Sequence, residues 1–335
     1  MKQVLLVGSG GVGTIVSLNL ERGGHAQVTS VIRSDYQHVK EKGFQIESID
    51  HGNFDSWRPS AIVPNIDSAK GKEYDYIVVC TKVLPEVQRT EELIAPVVTK
   101  GTTIVLIQNG IMIEDPVAKA FPDNVVLSGV SIIGSHNFGG KIVQDEHDSI
   151  EIGYFGSPGI DTQVIQDKCK EFVAIYAATG VDCKYSENLQ FSRWRKLIYN
   201  SAINTICALT TVDIGRAYLC GLDENVIRPA MSEVRAIAKA AGYELDEKFE
   251  DHYLTIDDGM YFKPSMQVDV EKGNLIELEV ILGNPLRVAK EKGVDTPVLS
   301  LVYNLLRSVQ FRLMEGRGLI KVPEKPLRKD PPLWK

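Results

Sequence analysis

Through the first half of the chain, short unbroken apolar runs alternate with stretches of helical spacing. Val4-Leu5-Leu6-Val7 is apolar throughout, as a strand buried on both faces requires. Residues 12–22 then read as a helix, which Gly23-Gly24 ends. Residues 28–32, 76–80 and 104–107 repeat the strand signature, and 125–127, 130–133 and 150–152 add shorter strands. Residues 34–42 read as a helix capped by Ser34, Pro85 opens a helix reaching about residue 98, and 162–179 form a helix followed by Gly180. Residues 44–66 read as a hairpin or an irregular stretch. Strands and helices in alternation predict a doubly wound, mostly parallel sheet.

From Asn188 onward the strand signal stops. Residues 191–209, 224–241, 275–292 and 297–314 carry helical patterns, the last with Thr296 as cap and Pro297 in its first turn. The change of texture predicts an α/β domain over residues 1–187, an all-α domain over 188–320, and a Pro- and Lys-rich tail over 321–335.

Composition narrows the function. The chain has 335 residues, enough for two domains, and a formal net charge of −7. That charge argues against nucleic acid as the main partner, because phosphate binding needs a surplus of Lys and Arg. The five cysteines, at 80, 169, 183, 207 and 220, include no C-x-x-C pair and read as reduced core thiols of a cytoplasmic protein. The six histidines form no metal motif, so no metal is expected. There is no signal-like leader and no apolar run of about 18 residues, so no membrane span is expected either.

The first candidate chemistry lies at Gly8-Ser9-Gly10-Gly11-Val12-Gly13, a G-x-G-x-x-G turn directly after one strand and directly before one helix. Gly8 allows the tight turn, Gly10 lets the backbone approach a pyrophosphate, and Gly13 lets helix and strand pack closely. The helix N-terminus offers N–H groups and a positive dipole end to the anion. A bare glycine turn and a methyl-donor site on a similar fold are the alternatives. The second strand runs into Arg33 rather than Asp or Glu. A guanidinium there suits a 2′-phosphate, and so NADP(H), whereas Asp35 comes two positions late. Lys82 and Asn109 follow the strands 76–80 and 104–107, where doubly wound sheets hold their ligands. Each is also an ordinary polar turn residue.

The second candidate is a polar stripe. Lys196, Asn200 and Asn204 are spaced i, i+4, i+8 among apolar neighbours, and polar groups on a buried helix need partners. Ser265 and Asp269 form another i, i+4 pair if helical, and Glu277 follows. A carboxylate near a buried lysine would hold it and tune its pKa.

These residues resemble the ketopantoate reductase (2-dehydropantoate 2-reductase) family over nearly the whole chain. The matching positions are Gly8-x-Gly10-x-x-Gly13, Arg33, Thr81-Lys82, Asn109-Gly110, Trp194-x-Lys196 with Asn200 and Asn204, Ser265-Met266-x-x-Asp269, and Glu277. The resemblance implies a Rossmann domain followed by a helical substrate domain, with the site in the cleft between them. It implies NADPH-dependent reduction of a small 2-oxo acid, 2-dehydropantoate first, in pantothenate biosynthesis. Lys196 would be the general acid, and Asn109, Asn200, Asn204 and Ser265 would bind substrate. Glu277 would orient Lys196 and touch the cofactor, and Asp269 would support the arrangement. The other readings are a reductase of a different oxo acid and a non-catalytic NADP sensor. The oligomeric state stays open; a homodimer fits.

The chain departs from the family pattern at three places. Met112 stands where a second glycine is common, Thr205 where proline is common, and 212–216 (Val-Asp-Ile-Gly-Arg) lacks an asparagine that some members use on the pantoyl hydroxyls. These positions bear on the substrate and leave the reaction class intact.

Overall fold

The computed structural model describes residues 1–157 and 159–328 and divides the chain into two compact units, Met1–Ser192 and Arg193–Lys335. The division falls inside the helix Leu189–Tyr199, whose first turn is fastened within the first unit by Ser192 Oγ donating to Glu151.

The described residues of the first unit form twelve strands: β1 (Lys2–Val7), β2 (Ala26–Val31), β3 (Phe44–Ser48), β4 (Gly52–Trp57), β5 (Ala61–Val63), β6 (Tyr76–Val79), β7 (Thr103–Leu106), β8 (Val126–Ile132), β9 (Ser135–Phe138), β10 (Lys141–Gln144), β11 (Ser149–Phe155) and β12 (Asp182–Tyr185). Eight form one sheet in the order β12-β11-β8-β7-β6-β1-β2-β5. Six of these, from β5 to β8, are parallel; β11 runs antiparallel to β8, and β12 is parallel to β11. Strand order reverses beside β1, the switch point where such sheets hold ligands outside their carboxyl ends. Val4, Leu5, Leu6, Ile77, Val78, Ile104 and Val105 are fully buried or nearly so. That is why their runs are apolar without alternation.

The remaining four strands form a second sheet, β4-β3-β10-β9. The uncertain stretch 44–66 therefore becomes the hairpin β3–β4 followed by β5. Three strands went unread in the sequence: β9, β10 and β12. Each has four residues and several half-exposed ones, so none shows a clear apolar run.

Other expectations need correction. Residues 125–127 and 130–133 are not two strands but parts of one, β8. Pro85 opens no helix: Val87 and Gln88 both donate to Leu84 O in a tight turn, and the helix is confined to Thr90–Ile94. Pro96, with no N–H to give, prevents its continuation. Ser34 is not the cap of the next helix, Tyr36–Lys42; Asp35 holds that position, and its side chain makes no capping bond. Cys220 is exposed rather than a core thiol.

Among the described residues of the second unit every regular element is helical. The helix expected from 224 begins as a π-helical turn, Asp223–Ile227, before Arg228–Ala240; the one expected from 275 begins later, with π turn Glu279–Gly283 and then Asn284–Lys292. Helices Ile214–Leu219, Lys248–Thr255 and Ser265–Glu271 precede the long Pro297–Gly316. Thr296 stands at its N-cap, but its hydroxyl meets Ser300 instead of the backbone. Trp194, Leu197, Ile203, Met231, Val234, Leu278 and Leu306 make the core. Burying each large apolar side chain contributes about 1.5–3 kcal/mol. Of the expected tail, 329–335 lie outside the described residues, and 321–328 form no helix or strand. No helix among the described residues is long and apolar enough to cross a membrane.

Candidate active site

The turn from Val7 into the helix Gly11–Arg22 is built from glycines for distinct reasons. Gly8 has φ +105°, and a Cβ on it would lie 2.6 Å from the Thr81 amide nitrogen. A Cβ on Gly13 would lie 1.9 Å from the Gly8 carbonyl oxygen, so helix and turn touch backbone to backbone. Gly10 is different: a Cβ there meets nothing within 4 Å. Its face is open, and no side chain caps the helix start. That combination of open glycine and uncapped N–H groups fits a dinucleotide pyrophosphate.

Ser9 Oγ donates to Val31 O at 3.1 Å, tying the turn to β2, and Val12 turns its side chain toward the core under the sheet. Gly11 has a role that the sequence motif does not convey. A Cβ there would lie 2.3 Å from Ser135 O, so the β9 backbone is laid directly on the turn.

The other residues expected at the cofactor end of this unit follow the carboxyl ends of β2, β6 and β7. Arg33 and Lys82 are exposed, and Asn109 is half-buried before Gly110 at φ +90°. Buried Gln108, unassigned from sequence, links two of these loops: its Nε2 donates to Thr81 O at 2.7 Å. Met112 has φ +57°, the left-handed region that glycine occupies freely. The backbone at this departure from the family pattern has thus kept a glycine-like conformation.

In the second unit the stripe lies on one continuous helical run, Leu189–Tyr199, then a π-helical segment Asn200–Asn204, then Thr205–Thr210. On a straight α-helix each four-residue step drifts about 40° around the axis. The wider π turn, with its i→i+5 bonding, counters that drift, and Asn204 Nδ2 donates to Asn200 Oδ1 at 2.8 Å. Both asparagines are buried. Thr205 suits the segment: its hydroxyl donates to Ser201 O at 2.6 Å and Ala202 O at 3.1 Å. Proline would leave carbonyls there to other partners. Ser201 Oγ in turn donates to Ile281 O at 2.7 Å, within the π turn Glu279–Gly283.

Ser265 and Asp269 are on one helix, as their spacing required. Asn204 Oδ1 accepts from Met266 N at 3.3 Å and, more weakly, from Ser265 Oγ at 3.5 Å. Asp269 O accepts the Asn274 N–H at 2.8 Å, across the turn that leads to Glu277. Glu277 is buried in the non-helical residues before the next helix. Fully buried Gln310 fixes that segment from the last helix. Its Oε1 accepts from Ile276 N at 3.0 Å and its Nε2 donates to Ile276 O at 2.9 Å.

Lys196 is partly buried, and its pKa is pushed down to about 8. Burial is the largest cause, followed by the positive charge of Arg193; the Glu277 carboxylate opposes both. Arg193, itself buried, was not singled out from sequence, although it precedes Lys196 by three residues on the same helix. The structure therefore brings Lys196, Glu277, Asn200, Asn204 and Ser265 into one polar cluster. Such a cluster can bind a small oxygen-rich anion and deliver a proton.

The family models for ketopantoate reductase PanE/ApbA match residues 4–157, and for its C-terminal domain residues 188–310. An uncharacterized protein of Saccharomyces cerevisiae is 41% identical, covering 97% of this chain and 98% of its own length. The crystal structure of 2-dehydropantoate 2-reductase from Methylococcus capsulatus is 33% identical, with TM-score 0.79, covering 93% of this chain and 97% of that one. A D-mandelate dehydrogenase solved with NADH and anilino(oxo)acetate shares the fold at 21% identity, with TM-score 0.78 over 93% of this chain and 99% of that one. The chain belongs to the ketopantoate reductase family of oxidoreductases.

Proposed function

We propose that the protein reduces a small 2-oxo acid with NADPH, with 2-dehydropantoate giving pantoate as the first substrate to test. The observation that carries this reading is Lys196: an ammonium of pKa about 8 beside a buried carboxylate, on a helix whose next polar positions are paired carboxamides. The glycine turn with Gly8, Ser9, Gly10, Gly11, Val12 and Gly13 would hold the pyrophosphate, Arg33 and Lys82 the phosphates, and Asn109 and Glu277 the nicotinamide end. When bound, the reduced nicotinamide supplies the hydride. As the substrate carbonyl carbon accepts it, negative charge gathers on oxygen. Lys196 stabilises that charge and gives its proton to the oxygen, then regains one from water. Asn200, Asn204, Ser265 and Asn109 would fix the carboxylate and carbonyl, Glu277 keeps the lysine charged, and Asp269 supports the turn before Glu277. This reaction would place the protein in cytoplasmic pantothenate biosynthesis, and a homodimer is compatible with it.

One observation favours a second substrate within the same class. The Asp213 carboxylate is committed to its own helix, accepting from Arg216 N at 2.9 Å and pairing with the Arg216 guanidinium. Where some relatives use an asparagine on hydroxyl groups, this segment offers no carboxamide. An oxo acid without the pantoyl hydroxyls fits that change. Loss of NADPH absorbance with 2-dehydropantoate, then with a panel of 2-oxo acids, decides between them. No consumption with any of them would end the reductase reading. It would leave a nucleotide-binding sensor.

Two outcomes follow from the assigned charges. Because the protonated lysine is the active form, turnover should fall as pH rises through about 8. Glu277→Gln removes the charge that raises the lysine's pKa, so the falling limb should move to lower pH. A flat profile across this range would show that another group supplies the proton. Arg33→Ala should raise the Kd for NADPH about tenfold or more and leave that for NADH nearly unchanged, as loss of one charge-assisted bond to a 2′-phosphate requires. Equal loss for both cofactors would remove Arg33 from phosphate binding.

A further inference from the structure

We infer that Asn137 sets the cofactor preference of this protein by holding Asp35 away from the ribose position. The inference rests on the reading of Arg33 above and concerns how an acid two residues later is kept from opposing it. A carboxylate just beyond the second strand binds the ribose 2′-OH and so favours the non-phosphorylated cofactor. Beside a 2′-phosphate the same charge is repulsive. Asp35 stands close enough in sequence to Arg33 to interfere.

The hairpin β9–β10 reaches across to prevent this. Asn137 Nδ2 donates to Asp35 Oδ2 at 2.8 Å, a pairing across 102 residues of sequence. The other end of the carboxamide is also fixed, because Asn137 Oδ1 accepts the Gly140 N–H at 2.9 Å. The amide is thus oriented by both of its partners. The hairpin is closely packed at two points. A Cβ on Gly140 would lie 2.4 Å from the His38 ring, and β9 rests on Gly11 as described.

Asp35 carries the signature of this capture. It occupies the N-cap of Tyr36–Lys42, the place where aspartate ordinarily bonds the helix N–H groups, yet its side chain makes no capping bond. The carboxylate faces the hairpin instead. Arg33 is exposed, so its charge is open to a ligand. One arm of the loop is disarmed and the other left open, which selects a 2′-phosphorylated dinucleotide.

Calorimetric titration of the purified full-length chain with NADPH and with NADH tests this without reference to turnover. Asn137→Asp keeps the acceptor for Gly140 and replaces the donor with a charge that repels Asp35. The ratio of Kd values should move toward NADH by about tenfold, because the released Asp35 and the added carboxylate both repel a 2′-phosphate. The swapped pair Asp35→Asn with Asn137→Asp restores a donor and an acceptor, and should return the ratio toward the wild-type value. Asn137→Ala, which only removes the donor, should give a smaller shift of the same sign, and it serves if the aspartate variant does not fold. An unchanged ratio in a folded Asn137 variant overturns the inference. Arg33→Ala separates the two failures: if it weakens both cofactors equally, the 2′-phosphate reading falls. If it is selective while the Asn137 variants are not, the inference alone falls.

Discussion

Lys196→Ala should lower kcat by about a thousandfold while changing the Kd for NADPH by no more than about twofold. The size follows from two functions lost together, the proton supplied to the substrate oxygen and the positive charge that stabilises it. Binding of the dinucleotide is spared because the glycine turn and Arg33 lie in the other unit. The side chain is only partly buried and the surrounding helix is held by Trp194, Leu197 and Ile198, so circular dichroism should report an intact fold. Single-turnover and steady-state rates with the best oxo acid, measured beside the NADPH titration, make the check. Wild-type turnover in the alanine variant would show the acid to be misassigned. Loss of NADPH affinity to match the loss of rate would show a binding role instead.

The second large effect separates two glycines of one motif. In Gly13→Ala the new methyl would lie 1.9 Å from the Gly8 carbonyl oxygen and 3.2 Å from Cys80 Cβ. The carbonyl is backbone in a left-handed turn braced by Thr81, with no flexible side-chain end to yield. Overpacking of this kind costs about 1–3 kcal/mol, and the moved turn should bind NADPH about a hundredfold more weakly. Gly10→Ala places its methyl in open space, so thermal stability should stay within about 0.5 kcal/mol of wild type. The methyl would still stand where the pyrophosphate is proposed to lie, so affinity should fall in this variant too. Thermal melts and NADPH titrations of both variants settle the comparison. Undiminished NADPH binding by Gly10→Ala would move the pyrophosphate elsewhere.

The elements that were legible in the sequence share a physical cause. β6, β7 and residues 4–7 of β1 are buried on both faces, so each contributes a short apolar run bounded by turn residues. The glycine turn is local: strand, turn and helix are contiguous, and Gly13 packs on the Gly8 carbonyl within the same turn. The polar stripe was legible because helical spacing alone gathers Lys196 and Asn200. Its continuation to Asn204 needed a π turn that no residue pattern announced. That turn is stabilised from a distance, by Ser201 on the Ile281 carbonyl. The nearness of Glu277 to Lys196 came only as an implication of family resemblance, since more than eighty residues separate them.

By itself, then, the order of residues determined an α/β first half and a helical second half, the glycine turn after β1, and a lysine–asparagine helix face, because each is written in neighbours within a few turns of chain. Only the tertiary structure decided which groups oppose one another. The β9–β10 hairpin found β3 and Gly11, Gln310 fixed the backbone beside Glu277, and Asn137 took the Asp35 carboxylate from its own helix cap. These are pairings across long loops. Local propensity carries no information about them, and the burial and charge that fix them exist only once the chain has folded.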